Sequence, residues 1–230
     1  MKPLDYFFDT PSSGEGHFPQ KFCRFFFGLI RVIFGLAFRY KAYDLDPIKA
    51  QLEGRGFIIA GNHRDYFDPL FVMSVMRPRP VRYIAKEEFF TMSPLIARLT
   101  SWLGVFPVKR GASDMTAIKR SVRMLKRGEI LGIFPEGTRI RFKDQEVTYH
   151  EGVALIASLA KVPVVPVHLW NTDKIKPPGS RFFHFPRITL RFGEPISIEE
   201  ERFASLPKDE RYAAFTNEVM RRVYELEFPG

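Results

Sequence analysis

Short apolar runs alternate with amphipathic stretches along most of the chain from Tyr43 onward. The runs are short enough for buried strands, and the stretches repeat apolar residues every three or four positions, the spacing of one helix face. The predicted strands are 56–61, 82–85, 104–108, 130–134, 163–168 and 187–192. The predicted helices are 69–76, 92–101, 113–127, 152–160 and 209–226. This alternation predicts one α/β domain over residues 43–230, with a mixed, mostly parallel sheet flanked by helices.

The first forty residues follow a different pattern. Residues 1–20 are polar and contain several prolines and glycines, so we expect them to be irregular. Residues 21–40 are mostly apolar, with one basic-and-small stripe at helical spacing: Lys21, Arg24, Gly28, Arg31 and Gly35. Arginine is costly inside a membrane span but acceptable on a helix that lies in the interface. Residues 1–42 are therefore predicted to carry a membrane-associating amphipathic helix; packing on the protein's own core is the alternative.

The amino-acid composition indicates that the protein binds an anionic partner. The net charge of +9 favours nucleic acid, an anionic lipid surface or an acidic substrate. The 24 phenylalanines shift this choice toward the membrane and away from nucleic acid. Cys23 is the single cysteine, which excludes an intrachain disulfide and favours the cytosolic side. We therefore expect peripheral or monotopic attachment at the cytoplasmic face of the cell membrane.

A histidine and a carboxylate stand where the first predicted strand of the body ends. His63 and Asp68 follow strand 56–61 and precede an apolar run that begins after Pro69. On a continuous helix five residues turn the chain by about 500°, which would leave the two side chains on different faces. Only a loop can bring them together. Asp68 also suits the cap position of a helix that begins at Pro69.

Other strand ends carry basic residues. Strand 130–134 is followed by Glu136, Gly137, Thr138 and Arg139. Gly137 permits a sharp turn, and the rigid fork of donors on Arg139 fits a phosphate or a carboxylate. An ordinary turn with a surface ion pair is the alternative interpretation of this string. Lys86 and Arg110, which follow two other strands, are further candidate cations, with a solvated loop lysine as the alternative for Lys86.

The predicted helix 113–127 has a strongly basic face. Ser113 or Asp114 can cap this helix, and Gly128 is suited to end it. Its basic residues are Lys119, Arg120, Arg123, Lys126 and Arg127. The face is either solvated or a docking surface for an acidic carrier protein or anionic lipid. The five histidines of the chain are scattered without a close-spaced pair, so no metal site is predicted.

Taken in order, these strings resemble the motifs of the glycerolipid acyltransferase family typified by 1-acyl-glycerol-3-phosphate acyltransferase. Residues 63–68 (HRDYFD) are similar to its His-x4-Asp motif, and residues 134–139 (FPEGTR) to its most recognisable string. Residues 104–111 and 162–166 resemble its second and fourth blocks. Two departures, Asp65 in place of a common serine and Ile140 in place of a small polar residue, affect the expected acceptor more than the expected reaction.

The resemblance implies transfer of a fatty acyl group from acyl-CoA or acyl-carrier protein to 1-acyl-glycerol-3-phosphate, which gives phosphatidic acid without a cofactor. It implies that His63 is the general base and that Asp68 orients it, roles that a neutral imidazole beside a carboxylate can fill. The acceptor-binding residues that it implies are Glu136, Gly137, Thr138 and Arg139, with Arg139 on the phosphate. Arg110 and Lys86 are the next candidates for phosphate contacts, and no oligomeric state is predicted.

Two alternatives stay open at this point. One is acyl transfer to a different lysolipid or hydroxylated lipid. The other is a non-catalytic basic protein that binds anionic membrane or nucleic acid, for which His63 would be dispensable and salt alone would abolish binding. A covalent acyl-enzyme is not expected, because Cys23 lies in the predicted membrane helix and no Gly-x-Ser-x-Gly string is present.

Overall fold

The structure is a computed structural model that describes residues 4–10, 20–91, 93–108, 114–142 and 144–229. The side chains of Gln20, Cys23, Arg24, Lys208 and Asp209 are outside this description. The helices are α1 (Leu4–Asp9), α2 (Gln20–Phe38), α3 (Leu45–Gln51), α4 (Asp68–Val75), α5 (Glu88–Thr91), α6 (Pro94–Trp102), α7 (Met115–Lys126), α8 (Gly152–Ala160), α9 (Glu201–Ala204) and α10 (Lys208–Glu225). The strands are β1 (Lys41–Tyr43), β2 (Phe57–Gly61), β3 (Val81–Lys86), β4 (Phe106–Val108), β5 (Ile130–Ile133), β6 (Val164–Trp170) and β7 (Thr189–Phe192).

Within the described residues the strands form one sheet in the order β1-β7-β6-β2-β5-β3-β4. Strands β2 to β6 all run in the same direction, whereas β7 is antiparallel to β6 and parallel to β1. The prediction of a mixed, mostly parallel sheet flanked by helices is therefore confirmed. Because the carboxyl ends of β2 and β5 meet at one edge, the two strings that follow them, 62–68 and 134–139, lie side by side.

Helices cover both faces of this sheet, and β2 shows why. All five of its residues are buried. Phe57 and Ile59 pack in the layer that contains α2, α3 and α4, whereas Ile58 and Ala60 pack in the layer of α1, α7, α8 and α10. Alternate residues of a strand point to opposite faces, so a continuous apolar run is what a two-sided strand requires.

The boundaries of α7 follow from local chemistry. The Asp114 Oδ1 accepts hydrogen bonds from the backbone N–H groups of Thr116 (3.0 Å) and Ala117 (3.1 Å), which satisfies two of the free donors at the helix start. Gly128 follows the helix with a φ of 83°, a backbone conformation that glycine adopts without strain. The predicted cap at Asp114 is confirmed, while Ser113 lies outside the described residues.

The prediction that residues 1–20 are irregular is wrong for α1. This helix buries Phe7 and Phe8, and α7 holds it by charge. The Asp9 carboxylate contacts Arg120 (3.0 Å) and Arg123 (3.4 Å). The Arg127 side chain donates to the Asp9 backbone carbonyl (3.0 Å). Three residues of the predicted basic docking face, Arg120, Arg123 and Arg127, therefore bind the chain's own α1. All members of this face except Arg120 are exposed.

Helix α2 has two different apolar faces. Phe27, Phe34 and Phe38 are buried, and Phe34 packs on Phe71 of α4 with ring centroids 4.7 Å apart. A second set of large apolar side chains is exposed: Phe25, Leu29, Val32, Ile33 and Leu36. Among the helices of the described residues, none combines the length and the hydrophobicity of a membrane-crossing segment. The division of the chain at residue 42 stays a prediction.

Candidate active site

His63 and Asp68 meet at the carboxyl end of β2. The His63 Nδ1 lies 2.9 Å from the Asp68 Oδ2, in a loop that curls back as the five-residue spacing requires. Asp68 is fully buried, and the His63 side chain is 18% exposed. A buried carboxylate on Nδ1 fixes the tautomer in which Nε2 is the basic nitrogen, the arrangement of a general base and its orienting acid.

The Asp68 carboxylate also holds the loop itself. Its Oδ2 accepts the backbone N–H groups of Arg64 (2.7 Å) and Asp65 (2.8 Å) in addition to the imidazole. The prediction that Asp68 caps a helix beginning at Pro69 is wrong, because α4 begins at Asp68 and its side chain folds back onto the preceding loop. One oxygen therefore serves both the loop and His63, while Oδ1 is buried and has no hydrogen-bond partner among the residues that the structure describes.

Aromatic rings fix the plane of the imidazole. His63 stacks on Phe134, the residue that follows β5, with centroids 4.3 Å apart and planes 11° apart. Phe134 in turn stacks on Tyr83 of β3 (5.5 Å), whose ring occupies the space above Gly132. A Cβ on Gly132 would lie 2.2 Å from that ring, so the glycine makes room for the stack. The neighbouring strands thus limit His63 to one orientation.

Asn62 joins the loop to the next strand. Its side chain accepts the Leu169 backbone N–H (2.8 Å) and donates to the Leu169 carbonyl (3.0 Å). The side chain is almost fully buried and uses both its acceptor and its donor on β6. Asn62 therefore fixes where the His63 loop leaves the sheet.

Glu136 supports His63 from the other side. Its Oε2 accepts the His63 backbone N–H (2.8 Å), and its Oε1 accepts the hydroxyl of Tyr224 from α10. Burial raises the pKa of Glu136 above its ordinary value of 4.5, although the Tyr224 and His63 hydrogen bonds act in the opposite direction. Burial and the Glu136 carboxylate both raise the pKa of Tyr224. The predicted contact of Glu136 with the acceptor stays a prediction, and in the structure its carboxylate accepts the His63 backbone N–H.

Gly137 turns the chain immediately after Glu136. Its φ of 61° lies in the left-handed region, and an added Cβ would lie 2.4 Å from the His150 ring. The backbone then returns to the first loop, because the Ile140 N–H donates to the His63 carbonyl (2.8 Å). Thr138 is exposed at the tip of this turn. The two predicted motif strings therefore form one hydrogen-bonded unit.

Arg139 lies on the exposed side of this unit. Its guanidinium carbon is 3.4 Å from the centroid of the Tyr66 ring, a stacked cation–π contact. Its Nη1 is buried without a hydrogen-bond partner in the described part of the chain. A buried guanidinium N–H that lacks an acceptor is unfavourable, so this donor is available to an anionic ligand.

The remaining predicted cations are less defined. Lys86 is the last residue of β3 and reaches the same edge of the sheet, two strands away from β2. Arg110 lies outside the described residues. The roles of Lys86, Arg110 and Thr138 in substrate binding stay predictions.

Sequence reasoning missed Tyr66, Phe134 and Tyr224 as supports of the site. Phe134 and Tyr66 stand within the two motif strings, whereas no local signal marks Tyr224.

The Tyr224–Glu136 contact gives a pH-dependent prediction. Tyr224→Phe removes the donor that favours charged Glu136, so the raised folded-state pKa of Glu136 rises further. When the pKa of a carboxyl group is higher in the folded than in the unfolded protein, the free energy of unfolding falls as pH rises from the unfolded-state pKa through the folded-state pKa. The variant should therefore be less stable than wild type by about 1–3 kcal/mol at neutral pH, and the difference should shrink as pH falls toward 4.5.

Urea unfolding of both proteins at several pH values measures this difference. Tyr212→Phe, a tyrosine of the same helix outside the site, is the matched control. A difference that does not change with pH would contradict the assigned hydrogen bond. The variant should also lower kcat, because Glu136 positions the His63 backbone.

The comparisons with known proteins agree with this geometry. A family model described as "Acyltransferase" matches residues 40–170. A 1-acyl-sn-glycerol-3-phosphate acyltransferase of Bacillus subtilis is 32% identical over 207 residues, which cover 90% of this chain and 96% of that protein. The human enzyme of this name, the beta form, is 30% identical over 77% of this chain and 62% of its own length.

A solved structure shares the fold. The 1-acyl-sn-glycerophosphate (LPA) acyltransferase PlsC from Thermotoga maritima aligns over 91% of this chain and 83% of its own, with a TM-score of 0.65 and 21% identity. At that identity the likeness concerns the fold alone. The family model covers more than half of the chain, and the Bacillus subtilis enzyme matches it over nearly its whole length. The chain therefore belongs to the acyltransferase family.

Proposed function

We propose that this protein is a membrane-associated O-acyltransferase that converts 1-acyl-glycerol-3-phosphate to phosphatidic acid. The observation that carries the proposal is the His63–Asp68 pair, in which Asp68 occupies Nδ1 and leaves Nε2 to accept a proton. The relatives that match over most of this chain are named for the same reaction.

The chemistry requires one proton acceptor and no enzyme nucleophile. Neutral His63 takes the proton of the acceptor hydroxyl through Nε2 as the hydroxyl oxygen attacks the carbonyl carbon of the acyl thioester. A carbon–oxygen bond forms, the carbon–sulfur bond breaks, and the thiolate leaves with the proton that the imidazolium returns. Buried Asp68 stabilises the imidazolium during this step. The products are the acylated lipid and the free thiol of coenzyme A or of the carrier protein.

Arg139 is suited to the acceptor phosphate. Its Nη1 has no hydrogen-bond partner within the described ranges of the chain, and Tyr66 stacks on one side of its guanidinium plane. Guanidinium groups bind phosphate oxygens through parallel N–H donors, which gives both affinity and orientation. With the phosphate on Arg139, the glycerol hydroxyl can be directed toward His63.

The exposed face of α2 suits a lipid surface. Leu29, Val32 and Leu36 are apolar and exposed on the side of α2 that faces away from α4. Lys21 and Arg31 are exposed on the same helix and can reach headgroups. Basic residues near an anionic membrane contribute roughly 1 kcal/mol each. Attachment to the cytoplasmic face would bring lipid acceptor and soluble thioester donor to one site.

An acyl-transfer assay on the purified full chain tests the proposal. The acceptors are lysophosphatidic acid, monoacylglycerol and lysophosphatidylcholine, each offered with acyl-CoA and with acyl-carrier protein. We expect His63-dependent formation of phosphatidic acid from lysophosphatidic acid. His63-dependent transfer to another acceptor alone would favour a different lysolipid substrate. Vesicle or nucleic-acid binding without any transfer would favour the non-catalytic alternative.

Replacement of Arg139 tests the phosphate contact separately. Arg139→Ala should lower kcat/KM for lysophosphatidic acid by about 10- to 100-fold, the loss of one or two charge-assisted hydrogen bonds. Activity toward monoacylglycerol, which has no phosphate, should change little. Arg141→Ala, two residues away and exposed, is the matched control. An equal loss with both acceptors would contradict a phosphate-specific role for Arg139.

A further inference from the structure

Between β6 and β7 the chain forms an exposed aromatic loop that the proposed reaction does not use. We call residues 180–187 the phenylalanine loop. Phe182, Phe183 and Phe185 are 77%, 52% and 58% exposed. Three large apolar rings on eight successive residues form a concentrated exposed patch, and such patches mark interaction sites in soluble domains.

The backbone of the phenylalanine loop is fixed even though its rings are exposed. The His184 N–H donates to the carbonyl of buried Ile175 (2.8 Å), and the Ser180 hydroxyl donates to the Phe182 carbonyl (2.9 Å). The Asn171 side chain donates to the Arg187 carbonyl (2.9 Å) at the end of the loop. The rings are therefore held outward by hydrogen bonds, not left exposed by a lack of structure.

The loop lies beside both α2 and the His63 loop. The Phe185 ring packs on Phe38 at the end of α2, with centroids 5.5 Å apart, and the Arg39 side chain donates to the Phe185 carbonyl (3.1 Å). The Phe183 ring lies 6.2 Å from Phe67, the residue before Asp68. The loop thus connects the end of the amphipathic helix with the rim of the candidate site.

Charge around the loop is positive. Residues 171–187 contain four basic side chains against one acidic side chain: Lys174, Lys176, Arg181 and Arg187 against Asp173. All five are exposed. The Lys176 ammonium lies 5.0 Å from the Phe183 ring centroid, so a cation and an aromatic ring are exposed side by side. Apolar rings surrounded by cations are complementary to the interface of a bilayer that contains anionic phospholipid.

We propose that the phenylalanine loop is a second membrane-docking element, which inserts its rings into the interface of an anionic bilayer next to α2. Phe182, the most exposed of the three rings, enters the acyl boundary, while Arg181 and Arg187 contact lipid phosphates. Docking at this point places the bilayer surface at the Phe67 edge of the site. A lipid acceptor can then reach His63 while its acyl chain stays in the membrane.

Vesicle sedimentation of the full chain tests this inference without any measurement of catalysis. The vesicles contain phosphatidylcholine alone or phosphatidylcholine with phosphatidylglycerol. Phe182→Ser should lower partition onto the mixed vesicles by about tenfold, because it removes one phenylalanine ring that the bilayer would bury. Phe182→Trp should retain binding, since tryptophan favours the interface. Leu159→Ser, an exposed apolar residue of α8 on the opposite face of the sheet, is the matched control and should bind like wild type.

The charge component has its own measurement. Arg181→Gln with Arg187→Gln should reduce the preference for mixed vesicles over phosphatidylcholine while leaving binding to phosphatidylcholine unchanged. The inference is overturned if Phe182→Ser and Leu159→Ser partition equally. It is also overturned if sedimentation velocity without lipid shows a dimer that Phe182→Ser dissociates, since a second copy would then cover the loop.

The inference rests on the proposed lipid substrate, but the two fail in different ways. If Phe182→Ser still binds vesicles and transfers acyl groups normally, the docking role of the phenylalanine loop is rejected and the proposed function stands. If Phe182→Ser loses vesicle binding but the wild-type protein transfers no acyl group to lysophosphatidic acid, the proposed function is rejected and the docking role of the loop stands.

Discussion

Replacing His63 by alanine is expected to lower kcat/KM for acyl transfer by about 100- to 10,000-fold, the usual contribution of a positioned general base. The imidazole is the group that can take the acceptor proton through Nε2 while Asp68 holds Nδ1 at 2.9 Å. Vesicle binding should persist, because the His63 side chain lies within the loop and away from the exposed face of α2. Acyl-transfer kinetics and vesicle sedimentation on the same preparation measure the two effects.

Two carboxylates in the same loop provide a matched pair for this prediction. Asp68→Asn should cause a loss comparable to His63→Ala, because an amide cannot stabilise the imidazolium or fix its tautomer as a carboxylate does. Asp65→Asn should keep most of the activity, since Asp65 Oδ1 accepts the Phe67 N–H (3.1 Å), which an amide oxygen can also accept. Both residues are buried. Equal losses from the two variants would show that loop folding, not orientation of His63, explains the effect.

The body of the fold could be predicted because its strands and helices carry strong periodic patterns. Strands β2 and β5 are continuous apolar runs, β6 begins with one, and α7 has both a cap and a terminating glycine. Strand β1 could not be found this way, since three residues are too few for a periodic pattern. It forms through its pairing with β7, where Lys41 lies opposite Thr189. Pro47 in the first turn obscured α3, although Leu45, Ile48 and Leu52 have helical spacing and are buried.

In the candidate site, too, some features could be predicted from the sequence and others could not. The contact between His63 and Asp68 could be predicted from their spacing and from the resemblance to known motifs. The roles of His63, Asp68 and Arg139 in the reaction stay predictions. Tyr224 could not, because its contact with Glu136 joins residues 88 positions apart and depends on where α10 packs. The same holds for the stack of Phe134 on His63, which exists because β5 pairs with β2 in a register that brings their ends together.

Arg82 is a buried cation of β3 that contacts the end of α1. Its side chain is inaccessible to solvent and donates to the carbonyls of Phe7 (2.8 Å), Phe8 (2.9 Å) and Thr10 (2.9 Å) at the end of α1. It also lies 3.3 Å from the Glu129 carboxylate. Burial lowers the pKa of Arg82, and Glu129 acts in the opposite direction. One guanidinium therefore supplies the donors that the last carbonyls of α1 require.

Replacing Arg82 by methionine is expected to lower the free energy of unfolding by about 3–5 kcal/mol, the usual cost of removing one member of a buried ion pair. Urea unfolding monitored by circular dichroism measures the loss. Arg202→Met is the matched control, because Arg202 forms ion pairs at the surface, and exposed pairs contribute at most about 1 kcal/mol. A loss no larger than that of the control would contradict the assigned contacts.

A second replacement separates the two kinds of contact that Arg82 makes. Arg82→Met combined with Glu129→Leu replaces both members of the buried ion pair by apolar residues, and such replacements are often tolerated. The double variant should therefore recover part of the lost stability. Recovery should stay incomplete, because the carbonyls of Phe7, Phe8 and Thr10 still lack their donor. Complete recovery would show that Arg82 serves Glu129 alone and that α1 is held by Asp9 and its two arginines without help from β3.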